Sequence, residues 1–145
     1  GVMRFRGNME YLHLKKDASH IPALQVGKFR CIIVAEEAVA ESWQSKLSSW
    51  LVEGGCLYAL AWGVNASSWD TSIDIANITY VGDSDLNDAN LVVTTWHDDE
   101  PLSEVFWFAK HLALHPHYEL RDTVVVHISS GEPRKQEFVE LLKNA

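Results

Sequence analysis

Between Cys31 and Val34 the chain is apolar without a break, and Ile32, Ile33 and Val34 are β-branched. That pattern suits a strand buried on both faces of a parallel sheet, here expected over 31–37. Runs of similar character recur at 56–63, 90–96 and 122–130. Between them the period changes. Over 38–53, Trp43, Leu47, Trp50 and Leu51 return at helical spacing, and Gly54 and Gly55 stop the run. Over 69–77, Trp69, Ile73 and Ala76 share an apolar side, while Asp70, Asp74 and Asn77 share a polar one; Asn65, Ser67 and Ser68 offer caps. Over 100–114, Leu102, Val105, Phe106, Ala109, Leu112 and Ala113 form a broad apolar face that His115, Pro116 and His117 terminate. A last helix follows Pro133, with Phe138, Leu141 and Leu142 turned inward. The stretch 82–90 is acidic and turn-like.

Strand and helix therefore alternate four times. This order predicts an α/β fold, a three-layer αβα sandwich around a mainly parallel sheet of four core strands. The expected strand order is 56–63, 31–37, 90–96, 122–130. Residues 9–15 predict a possible additional edge strand within an N-terminal extension, 1–28, that carries a connector around Pro22. The length, 145 residues, fits one domain.

Composition narrows the partners. The formal charge of -8, from 20 acids against 12 bases, argues against a nucleic-acid coat and against an anionic membrane surface, since both need cationic contacts. An unknown protein or a small polar ligand fits better, and a homo-oligomer is possible. Six tryptophans supply core volume or interface anchors. Cys31 and Cys56 each open an apolar run, where a reduced, buried thiol is expected. No run of 18 apolar residues and no leading h-region occurs, so neither a membrane span nor a signal peptide is expected, and the expected location is cytoplasmic.

In such a fold, right-handed crossovers bring the strand-to-helix turns to one rim. That rim would collect Glu36 and Glu37, then Trp62, Gly63 and Asn65, then Trp96 to Glu100, and finally His127, Ser129, Ser130 and Gly131. With the expected order, Glu36 and His97 face each other across the crevice. His97 could serve as general base or metal ligand, oriented by Glu36 or Asp98. Its neighbours have plainer explanations. Asp99 is the expected helix cap, Glu100 and Glu104 suit the positive helix end, and Pro101 loses nothing in a first turn. Trp96, Phe106 and Phe108 are expected in the core, Trp107 on a different helical side, and His127 as a satisfied histidine at the core margin. Asp70 and Asp74 stack on one helix face and, with Asp98, form an imaginable oxygen set for a hard cation. His111 and His115 stand four apart, but helix-end histidines are common.

Dinucleotide, P-loop, nucleophile-elbow, HExxH and calcium-loop signatures are all absent, so no cofactor is expected. Three functions follow. The first is a soluble acidic binding or protein-interaction domain using Trp62, Asn65, Trp69, Asp70, Asp74 and Trp107. The second is a small hydrolase or metal-assisted enzyme built on His97, Asp98 and Glu36. The third is a structural subunit of a homo-oligomer. An enzyme built on His97 needs that ring beside a carboxylate in a concave site. An interaction domain needs at least one of Trp62, Trp69 and Trp107 exposed.

Overall fold

The computed structural model describes residues 8–145. Of the expected N-terminal extension, residues 1–7 lie outside that range. The elements are β1 (Met9–Leu14), β2 (Phe29–Ala35), α1 (Glu41–Glu53), β3 (Cys56–Gly63), α2 (Ala66–Val81), β4 (Val93–His97), α3 (Leu102–His111), β5 (Asp122–Ile128) and α4 (Lys135–Lys143). A single 3-10 turn, Asp83–Asp85, follows α2.

Five strands form one sheet in the order β1-β5-β2-β3-β4, and every neighbouring pair is parallel. The α/β class and the sandwich are as expected, and residues 9–14 do form an edge strand. The strand order differs. β5 does not lie beyond β4 but enters between β1 and β2. Burial explains why: all of β2 and all of β5 except Asp122 are buried, whereas β4 is buried only at His97. A strand apolar on both faces belongs inside a parallel sheet, and one carrying Thr94, Thr95 and Trp96 tolerates the rim.

Helices α1 and α2 cover one face, where Leu47, Leu51, Trp69 and Ile73 meet Cys31, Ile33, Val124 and Val126. Helices α3 and α4 cover the other, where Val105, Phe106, Phe138 and Leu142 meet Ile32, Val34, Leu60 and Val125. Fully burying such side chains stabilises the fold by about 1.5–3 kcal/mol each. Cys31 and Cys56 are free and buried. Burial pushes both thiols up, Cys56 to about 12, so neither ionises near neutrality. Among the described residues no helix is long and apolar enough to cross a membrane.

Helix ends depart from the expected caps. Helix α2 begins at Ala66, three residues early, behind Asn65 in a left-handed conformation (φ 53°); Ser67 and Ser68 fall inside its first turn, where the Ser68 hydroxyl donates to the Asn65 carbonyl at 2.6 Å. Helix α3 begins behind Pro101 with no side-chain cap, so Asp99 does not cap it. At the far end of α3, buried Arg30 donates to the Ala109 carbonyl at 2.7 Å and to that of Leu120, tying the helix to β2. The bond to Ala109 satisfies a carbonyl that the helix end leaves open.

The turn from β3 into α2 rests on Gly63, whose φ is +102°. Val64 donates to the Ala35 carbonyl at 2.8 Å, and a Cβ on Gly63 would sit 2.1 Å from that oxygen. Gly63→Ala should therefore lower stability by about 1–3 kcal/mol or more, measured by urea unfolding. A change within error would mean the turn is not as tight as drawn.

Candidate functional site

The carboxyl ends of the strands meet at one rim, and strand order reverses between β5 and β2, because β3 and β4 step to one side of β2 and β5 lies on the other. Open α/β sheets usually bind ligands at such a point. The side chains that meet there are not the expected pair. Glu36 faces His127 instead of His97, because β5, not β4, is the neighbour of β2.

His127 is fully buried, yet both ring nitrogens are bonded. The Arg134 backbone N–H donates to the Tyr11 hydroxyl at 2.9 Å. That leaves the Tyr11 proton for His127 Nδ1, 2.7 Å away, and His127 Nε2 then donates to the Glu36 carboxylate. Arg134 closes the circuit, donating from its guanidinium to Glu36 at 2.6 Å. Burial pulls the His127 pKa below its ordinary value and outweighs the opposing pull of Glu36. Burial also opposes ionisation of Glu36, but His127 and Arg134 together hold its carboxyl below the usual range. The two directions agree: a neutral imidazole donates to a carboxylate.

Two further histidines are held by neighbouring groups. His13 pairs in register with His127, and its Nε2 lies 3.1 Å from the Ser129 carbonyl and 3.0 Å from the Ser129 hydroxyl. A carbonyl only accepts, so this nitrogen carries a proton and cannot take one from the serine. His97 donates from Nδ1 to Glu100 and accepts from the Thr95 hydroxyl at 2.9 Å, with the Phe108 ring edge-on to it. Trp62 donates its indole N–H to the Glu100 carbonyl at 2.8 Å. His97 is 6% exposed and fastens the end of β4 to the start of α3.

Of the other expected residues, Asn65 and Trp69 line one groove, Asp70 and Asp74 share one partner, and the rest lie apart. Asp98 is exposed, and its only place is after β4. Asp70 and Asp74 converge on the Thr94 hydroxyl, at 3.2 Å for Asp74, without Asp98. No group of three metal-ligating side chains exists among the described residues. His111 lies against Trp107, while His115 lies past the helix and bonds to the Leu91 carbonyl, so the two do not face one site. Trp69 is buried, Trp62 half-buried, and Trp107 48% exposed. Trp96, expected in the core, is 51% exposed. It stands on the outermost strand, which among the described residues has no neighbour on its far side.

A groove of about 440 Å³ does open at the rim, between α1 and α2; Glu37, Glu41, Gln44, Asn65 and Ile75 are among its walls, and neither His97 nor His127 is. The concavity and the histidines are thus separate. Residues 9–145 match the family described as Domain of unknown function (DUF7684). The chain belongs to that family. No curated protein and no solved structure matches it. The hydrogen-bonded circuit of this DUF7684 chain draws on β1, β2, β5 and the start of α4. Its sequence signal was the alternation of Tyr11 with His13 and of Val125 with His127, which becomes meaningful only once β1 and β5 pair.

The circuit makes a pH prediction. The unfolded chain protonates His127 near 6.5, while the folded chain resists, so stability falls as pH drops below about 6.5. Glu36, held below 4.5, adds its loss only in more acidic solution. In a melting series from about pH 8 to about pH 5, the wild type should lose stability below 6.5 and His127→Gln should show a shallower decline from a lower start. Equal slopes would contradict the neutral buried imidazole.

Proposed function

We propose that this chain is an acidic protein-interaction domain whose docking surface is the β3–β4 side of the sheet with α2 and α3. One observation carries this. From position 47 to position 109 the sequence holds ten acidic residues and no lysine or arginine, while the rest holds ten acids and twelve bases. Large apolar side chains surface in the same stretch: Val64, Ile75, Ile78, Tyr80, Trp96 and Trp107. Aromatic and aliphatic anchors inside a field of one sign favour a partner of opposite charge, since the field steers encounter and the anchors hold the complex.

The alternatives find less support. A hydrolase built on His97 needs that ring in a concave site with Asp98 or Glu36 beside it; His97 is buried outside the groove, and its carboxylate is that of Glu100. A symmetric dimer through this surface would set the same acids against each other.

The test is titration of ¹⁵N-labelled protein with a Lys- and Arg-rich amphipathic peptide. Amide shifts should concentrate on α2, β4 and α3. They should vanish near 1 M salt, where the Debye length is about 3 Å. Trp96→Ala and Trp107→Ala together should weaken binding at least about tenfold. Shifts spread evenly over all acidic surface, indifferent to both tryptophans, would sink the proposal.

A further inference from the structure

Resting on that docking surface, we infer that β4 is the contact edge itself: it takes an extended, basic segment of a partner as a sixth strand. The backbone supplies the first ground. β4 ends the sheet, and among the described residues no backbone or side-chain group bonds to its outer edge. Edge strands that stay solitary are blunted by charge, proline or a bulge. The strand Val93-Thr94-Thr95-Trp96-His97 has no acidic, lysine, arginine or proline residue, and its register with β3 runs without a shift. Four of its five residues are at least partly open to solvent.

The side chains supply the second. Thr94 and Trp96 lie on the α2 side of β4, since Thr94 meets Asp70 and Asp74. One hydroxyl proton serves two carboxylates there. Burial, then the charge of Asp70, raises the Asp74 pKa, so the pair is short of positive charge. An added strand would run about 4.7–4.9 Å outside β4. A Lys or Arg on its α2-facing side would meet the Asp74 carboxylate and the exposed Trp96 ring, an ion pair and a cation–π contact in one place. Ile78, 40% exposed on the same helix, offers an apolar neighbour.

Charge also selects the occupant. A second copy pairing β4 with β4 about a two-fold axis would run antiparallel and set both Asp70–Asp74 pairs on one side of the new junction, with no lysine or arginine between 47 and 109 to offset them. A foreign basic segment brings the missing charge.

The experiment uses the whole chain and a peptide of about six residues alternating Val with Lys or Arg. Binding should slow hydrogen exchange at outward β4 amides about tenfold or more. N-methylating alternate residues of the peptide should abolish it, since pairing needs those N–H groups. Asp70→Asn with Asp74→Asn should weaken binding about tenfold while leaving the fold intact. Three results overturn the inference. If a helical peptide of equal charge binds α2 and α3 while β4 amides exchange unchanged, only the edge role fails and the docking surface stands. If neither peptide binds, both fail. If β4 amides are protected by self-association of the protein alone, the occupant is a second copy.

Discussion

The parallel pairing of β5 between β1 and β2 is the constraint from which the rest follows. β5 is the last strand made and sits inside the sheet. Val124, Val125, Val126 and Ile128 are fully buried, shared between the two helical layers. Bringing residues 122–128 back to residues 9–14 closes almost the whole chain. Loop-closure entropy grows only slowly with length, so the cost in stability is modest, whereas the rate of folding feels it more. Once β5 is in place, β4 is left outermost and β1 takes the other edge.

The same insertion accounts for the polar circuit. β5 carries one histidine in an otherwise apolar run, and pairing draws it into the layer between sheet and α4, against Phe138. A polar ring buried there is costly unless bonded. Tyr11 from β1 and Glu36 after β2 bond it from either side, and Arg134 balances the carboxylate. The Tyr11 hydroxyl proton and the His127 Nε2 proton each have an acceptor. Such closure rigidifies the junction of β1, β2, β5 and α4 and engages both nitrogens of His127.

On the other half of the molecule the dominant feature is charge. In an extended chain, acids on separate elements would stand too far apart to interact through the intervening salt. Consecutive right-handed βα units keep sequence neighbours together in space, so the uncompensated acids between positions 47 and 109 gather around β3 and β4. Their mutual repulsion weakens no core contact, but it opposes self-association and favours a cation.

The strands and helices were legible because their signals are local. Cys56–Gly63 was bounded to the residue, the helical spacing of Trp43 with Leu47 and of Phe138 with Leu142 marked core faces, and alternation of the two periods implied a parallel sheet. Other features were decided by contacts far apart in the chain. Asp99 is a good cap by local rules, yet the chain starts α3 at Leu102, where Glu100 is held by His97 and Trp62. Trp96 fits a strand core by alternation, and only its place on the outermost strand exposes it. His97 and His127 look alike in sequence, each at the end of a strand. Which one meets Glu36 depends on which strand lies beside β2, and side-chain periodicity is the same whichever neighbour a strand takes.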